Sequence, residues 1–364
     1  MAREDCTDRR RLDPGAQRLD IPHVFAQTPL SGISGGSGLS LRISAAIERW
    51  PVAGEFIISR GAKTYVDVLI AGASDGTHVG LGEATAIYYH GESAESCLTQ
   101  IEDLIDTLVP MDVREARDAV QTLLSPGAAR NALDCALWDL EAKTSGQPLW
   151  RLAGLNEAPR ALPTAFTISL GDPEVMESHA AGAVARGFGL LKLKLTGEGD
   201  RERVAAVRKG APHARLIVDA NESWGALDIE AETAALAVLG VEMVEQPVHV
   251  GQDSLLDGVQ SLVPLLADES CQSSTDLELC ARYYDGINIK LDKAGGLTEA
   301  LKMAREAEAY GLKLMVGCML STSLAIHPAF LVAQGATWVD LDGPILLAKD
   351  REAGFRFEGG MISR

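Results

Sequence analysis

Residues 189–199 read GLLKLKLTGEG. In an extended chain successive side chains point to opposite faces. Leu191, Leu193 and Leu195 therefore share one face, and Lys192 and Lys194 the other. Two readings compete. The run can be an edge strand with a solvated lysine face. It can also be a strand of a closed sheet with its lysine face turned to a buried centre. There, two neighbouring ammonium groups lose hydration and repel each other, and both effects lower a lysine's pKa. A lysine so placed can take a proton near neutral pH.

The surrounding chain decides between these. After Pro163, short apolar runs end in polar residues and alternate with helical stretches: TAFTISL, LLKLKL, RLIVDAN, VEMVEQP, VPLLADES, GINIKLD, KLMVGCM and TWVDLDG. The residues near their C-terminal ends, Lys194, Asp219, Glu245, Asp268, Lys290, Gly317 and Asp340, follow one another at steps of 25, 26, 23, 22, 27 and 23. Such a repeat over eight strands predicts a parallel (β/α) barrel. DRERVAAVRKG, DIEAETAALAVLG and TEALKMAREAEAYG between them are amphipathic helices. No helical pattern follows the eighth strand, so the fold expected is α/β, a (β/α)7β TIM-type barrel over residues 146–345.

Upstream, residues 40–145 carry three alternating runs, with EFIISRGAK in the connection between the first two. Helical periodicity follows over 93–107 and 112–124, then the long stretch PGAARNALDCALWDLEAKTSG stopped by Gly146. This predicts an N-terminal α+β capping domain. Residues 1–39, charged and then rich in Gly and Ser, read as a disordered extension. Residues 346–364 have strand-like runs with turn glycines and are expected to return to the capping domain.

Composition narrows the partners. A formal charge of −18 over 364 residues repels nucleic acid and anionic membrane surfaces. No run of 18 apolar residues is present. The six cysteines are scattered without a C-x-x-C pair, which reads as reduced thiols of a cytoplasmic protein.

Barrel active sites lie at the C-terminal strand ends. Here Asp219, Glu245 and Asp268 end three adjacent strands, which run about 5 Å apart. With no basic partner evident nearby, three such carboxylates suit a hard cation, Mg2+ or alternatively Mn2+. Lys194 and Lys290 flank them from opposite sides of the mouth. A cation on a substrate carboxylate stabilises the enediolate left when an α-proton departs. Two lysines on opposite faces then make a racemase or epimerase, whereas one base makes a lyase.

These residues, with K-x-K at Lys192 and Lys194, VDAN, EQP, ADES and NIKLDKAGG, resemble the enolase superfamily over residues 40–364, in its muconate lactonizing subgroup. The resemblance implies a metal held by Asp219, Glu245 and Asp268, an acid/base pair in Lys194 and Lys290, and Lys192 against the substrate carboxylate. Asp340 and Asp342 of WVDLDGP are similar to the aspartates with which dipeptide epimerases hold the substrate's ammonium group. GCMLSTS, with Cys318 and Met319 against substrate, resembles the L-Ala-D/L-Glu epimerases. Of the two cations in FIISRGAK, Arg60 and Lys63, Lys63 is the candidate partner of a glutamate side chain, and Tyr89 or His90 of YYHGES is a candidate pocket wall. The function expected is Mg-dependent epimerisation of a small dipeptide at its C-terminal residue by two-base 1,1-proton transfer, in a homo-oligomer. The alternative is an o-succinylbenzoate synthase or muconate cycloisomerase type of lyase, whose substrates carry no ammonium group.

Overall fold

The computed structural model describes the backbone of residues 41–58 and 61–364, with the side chains of 41–54 and 63–364. The extension expected over 1–39 and the side chain of Arg60 lie outside these. Three strands, β1 (Arg42–Ile58), β2 (Gly61–Ser74) and β3 (Val79–Ala84), form an antiparallel meander. The FIISRGAK segment corrects the sequence reading, which made it a connection between strands. β1 and β2 stay paired out to Ile58↔Gly61, after a register shift between Pro51 and Phe56. Pro51 cannot donate to a ladder, and Gly54 at φ 82° lets the strand turn there. Phe56, Ile57 and Ile58 favour extended backbone and carry the ladder onward.

Helices Ala94–Glu102, Val113–Leu123 and Ala128–Ser145 cover one face of this sheet. Ser93 and Asp112 start the first two with reciprocal capping boxes. The long helix ends at Gly146 in left-handed conformation. It lies so close to β3 that a Cβ on Gly80 or Gly82 would strike the carbonyls of Ala136 or Ala132.

After β4 (Leu162–Pro163) come the eight parallel strands: β5 (Phe166–Ile168), β6 (Leu190–Lys194), β7 (Arg215–Asp219), β8 (Val241–Glu245), β9 (Leu265–Ala267), β10 (Gly286–Ile289), β11 (Lys313–Gly317) and β12 (Trp338–Asp340). Each pairs with the next in chain order. Ala165 N donates to Val339 O at 2.8 Å across the seam between first and last. The period-two pattern sorts the side chains. Leu191 and Leu193 join the large core under the outer helices. Leu190 points inward with Ala165, Ile217, Met243, Leu266, Met315 and Trp338 as the barrel's inner layer. Lys192 and Lys194 rise from that same inner face, towards the C-terminal mouth.

A 3-10 turn, Gly343–Leu346, follows β12 in place of a helix. The next residues touch the meander: Ala348 N donates to Pro51 O at 2.8 Å, and Arg351 Nη2 lies 2.7 Å from Glu48 Oε2 and 2.8 Å from Glu83 Oε2. The chain then closes as a hairpin, β13 (Arg356–Glu358) and β14 (Met361–Ser363), with β14 paired to β4. Among the described residues no helix is long and apolar enough to cross a membrane.

Candidate active site

Four cations and five carboxylates meet at the C-terminal end of the barrel. Lys192, 2% exposed, places Nζ 2.6 Å from Glu245 Oε2, 2.9 Å from Asp340 Oδ2 and 3.5 Å from Asp219 Oδ2. Lys194 Nζ donates to Asp219 Oδ2 at 2.6 Å. Lys290 Nζ donates to Asp268 Oδ2 at 2.5 Å and sits 3.9 Å from Glu245 Oε1. Lys293 Nζ lies 2.6 Å from Asp268 Oδ1. The sequence reading had assumed these carboxylates lacked basic partners. The structure corrects this, because four lysines, two on β6 and two just after β10, interleave with them.

The charge balance also overturns the expected sign for Lys192. Burial alone would lower its pKa, but Asp340, Glu245 and Asp219 together hold the ammonium well above its ordinary range. Lys290 behaves alike: burial lowers, and Asp268 and Glu245 more than reverse it. The repulsion expected between neighbouring lysines is outweighed because each finds a carboxylate within 3 Å. Among the acids, burial and the nearby Asp219 push Glu245 up to about 7. Asp268 runs the other way: Lys290 and Lys293 outweigh its burial and hold it well below the carboxylate range.

The backbone is built around this cluster. Gln246 adopts φ 38°, a left-handed conformation, directly after Glu245. Its side chain over-determines that geometry. Nε2 donates to Val248 O at 2.8 Å and Ser270 Oγ at 2.9 Å, while Oε1 accepts from Asp268 N at 2.8 Å and Ser270 N at 3.0 Å. Gln246 thus fixes β8's end to the loop that carries Asp268. Asn288 Nδ2 donates to Glu245 Oε1 at 2.6 Å. Gly317 leaves room for Lys290: a Cβ there would lie 2.8 Å from Asn288 Oδ1 and 3.2 Å from Lys290 Cε. Lys293 also donates to Asp268 O, to Cys271 O at 2.9 Å and to Asn288 O at 3.2 Å. Sequence reasoning passed over Gln246, Asn288 and Lys293, although EQP and NIKLDK contain them.

Asp340 and Asp342 lie on the same side of the cavity. Asp342 Oδ2 accepts from Thr167 N at 2.7 Å, and burial beside Asp340 pushes its carboxyl up to about 7. The cavity, ≈ 100 Å3, is closed by the meander's exit segment, with Lys63, Thr85, Ile87, Tyr88 and Tyr89 in its wall and Cys318 and Met319 in its floor. Lys63 Nζ is 5.1 Å from the Tyr88 ring centre, and burial lowers its pKa. His90 is outside the lining, so of the two YYHGES candidates only Tyr89 reaches it.

Among the described residues no group of three acidic, His or Cys side chains closes on one point as metal ligands would, the lysines standing between them. The donor set nevertheless suits a hard cation. Asp219, Glu245 and Asp268 are buried on adjacent strands. Glu245 Oε2 and Asp268 Oδ1 meet ammonium groups without hydrogen-bond geometry, and all-oxygen ligation is what Mg2+ and Mn2+ take.

Residues 43–154 match the mandelate racemase / muconate lactonizing enzyme N-terminal domain, and residues 175–364 the enolase C-terminal domain-like family. The chain belongs to the enolase superfamily. Within it, the chain is similar to the L-Ala-D/L-Glu epimerase of Escherichia coli K12, 42% identical over 86% of this chain and 97% of that one. It is also similar to an enolase family member from Agrobacterium tumefaciens with homology to dipeptide epimerases, solved with sodium and L-Ala-L-Glu. That structure shares 45% identity and a TM-score of 0.85, covering 89% of this chain and 98% of that chain. A dipeptide epimerase from Enterococcus faecalis V583, solved with Mg and L-Leu-L-Tyr, superposes with TM-score 0.83 at 28% identity, over 89% of this chain and 97% of that one.

Proposed function

We propose that this chain epimerises dipeptides of the L-Ala-D/L-Glu type at the α-carbon of the C-terminal residue. The observation that carries this is the placement of Lys194 and Lys290. They stand at the end of β6 and directly after β10, strands four apart in an eight-stranded barrel, on either side of the buried carboxylates. One lysine would remove the α-proton from one face and the other would return a proton to the opposite face, the roles exchanging with the stereoisomer. Lys192, between Asp219, Glu245 and Asp340, would meet the substrate carboxylate.

Asp219, Glu245 and Asp268 would hold Mg2+, with Mn2+ as a substitute. When bound, the cation draws charge from the substrate carboxylate and makes the α-proton easier to remove. Asp340 and Asp342 would take the N-terminal ammonium: Asp340 Oδ1 is buried without a hydrogen bond. Lys63, half-buried in the wall, would face the glutamate side chain, with Arg60 as a second cation, and Cys318 and Met319 would bound the dipeptide. The lyase alternative is disfavoured by the same pair of aspartates, since a substrate without an ammonium leaves both buried carboxylates facing it. The reading includes a cytoplasmic location and a homo-oligomer, and light scattering on the purified chain checks the oligomer.

The test is incubation of L-Ala-L-Glu and L-Ala-D-Glu with Mg2+ in D2O. Deuterium should enter the α-position of the glutamate residue. Lys194→Ala and Lys290→Ala should each abolish epimerisation, and one of them should retain exchange from a single stereoisomer. If neither dipeptide exchanges while a succinylbenzoate precursor turns over, the epimerase reading fails.

A further inference from the structure

A second cavity adjoins the catalytic one on the outer side of β5. It measures ≈ 370 Å3, against ≈ 100 Å3 for the catalytic cavity. Its floor is Phe166 and Ile168, the outward-facing neighbours of Thr167, and the other walls are Val52 of β1 and the helix Pro173–Ala185. Thr167 and Leu346 line both cavities. These two residues are the partition between them, and Leu346 is a half-buried side chain at the end of a 3-10 turn.

The partition stands beside the group proposed to hold the substrate's amine. Thr167 N donates to Asp342 Oδ2 at 2.7 Å. An ammonium bound by Asp340 and Asp342 would bring the attached α-carbon towards Thr167. The side chain on that carbon then has two directions. The catalytic cavity offers ≈ 100 Å3 to be shared by the whole dipeptide. The route over Leu346 leads to the larger space, whose floor is the apolar pair Phe166 and Ile168, with the Arg186 guanidinium 4.3 Å from the Phe166 ring centre at its edge.

We propose that this groove receives the side chain of the substrate's N-terminal residue, so that the chain accepts Xaa-Glu dipeptides in which Xaa is bulky and apolar. The inference rests on the epimerase reading above. It keeps the ammonium on its aspartates and changes only where the neighbouring side chain lies.

Gly182 supplies the test. It lines the groove and not the catalytic cavity. It lies within Pro173–Ala185, and no heavy atom is within 4 Å of where its Cβ would be. Leucine is a better helix former than glycine, so Gly182→Leu fills the groove in a folded protein. Deuterium exchange is measured for L-Ala-L-Glu and L-Leu-L-Glu with wild type and variant. Wild type should process L-Leu-L-Glu within about tenfold of L-Ala-L-Glu, and Gly182→Leu should lower kcat/KM for L-Leu-L-Glu by about tenfold or more, the effect of lost apolar pocket volume. L-Ala-L-Glu should be unaffected. If wild type exchanges L-Ala-L-Glu but not L-Leu-L-Glu, or if the variant treats both dipeptides alike, the groove is not this subsite. If neither dipeptide exchanges with wild type, the epimerase reading itself is wrong.

Discussion

Replacing Arg351 with alanine tests how the capping sheet is locked to the barrel. Glu83, at the end of β3, is 1% exposed. Its Oε2 accepts from Arg351 Nη2 at 2.8 Å, from Arg351 Nε at 3.2 Å and from the Thr322 hydroxyl, and its Oε1 accepts from Thr322 N at 2.6 Å. Burial pushes the Glu83 pKa up, and Arg351 is the main charge opposing that. Removing one partner of a buried pair costs about 3–5 kcal/mol. Arg351's side chain is 25% exposed and the Thr322 donors remain, which places Arg351→Ala near the low end, at about 3 kcal/mol.

The loss should depend on pH. A carboxyl whose folded-state pKa is raised gives stability below its unfolded value of 4.5 and loses it as pH rises through the folded value. Arg351→Ala raises that folded value further. The variant should therefore lose more at about pH 8 than at an acid pH low enough for Glu83 to take up a proton. Urea unfolding at the two pH values measures this, and Arg351→Ala/Glu83→Gln should remove the added pH dependence. A loss under about 1 kcal/mol, or an equal loss at both pH values, would refute the account.

Three further outcomes are expected. Asp340→Asn should lower kcat/KM for L-Ala-L-Glu about a hundredfold, the worth of a charged hydrogen bond, with KM rising more than kcat falls. Lys293→Met strands Asp268 Oδ1 and the carbonyls of Cys271 and Asn288; it should cost about 3–5 kcal/mol in urea unfolding. Asp134, buried against Thr298 and Gln121, is pushed by burial from 3.8 to about 6. Its contribution to stability is present below about pH 4 and lost through about pH 6, so the wild type minus Asp134→Asn difference should fall by about 3 kcal/mol across that window.

The barrel was legible because a βα repeat writes its period into the chain. Strand-end markers from Lys194 to Asp340, all polar but Gly317, recur every 22 to 27 residues, and the structure puts a strand at each. The lysine face of LLKLKL was legible for a similar local reason, once neighbours closed the sheet. The ionic state of Lys192 was not. Its partners stand on β7, β8 and β12, and the nearest, Asp219, is 27 residues away in sequence. Alternation reports which face a side chain takes and carries nothing about what arrives there from other strands. Lys293 escaped notice because it follows β10 in a short helix, Leu291–Ala294, where the period-two rule no longer applies. The pairing of β1 and β2 beyond Pro51 was missed since a proline and a glycine usually end a strand, and here they bend one.

The Glu83–Arg351 contact spans 268 positions of the chain. During synthesis on a ribosome, the meander and the first barrel strands emerge long before their anchoring guanidinium does. Until Arg351 leaves the exit tunnel, Glu83 has only Thr322 as a candidate donor among its partners in this contact, and Thr322 is itself a late arrival. The cap could therefore be shaped early but fastened by this contact only at the end of translation, beside the cavity wall that runs from Thr85 to Tyr89. A nascent chain released short of that arginine would carry every lysine and carboxylate of the site beneath a cap that is not yet fastened.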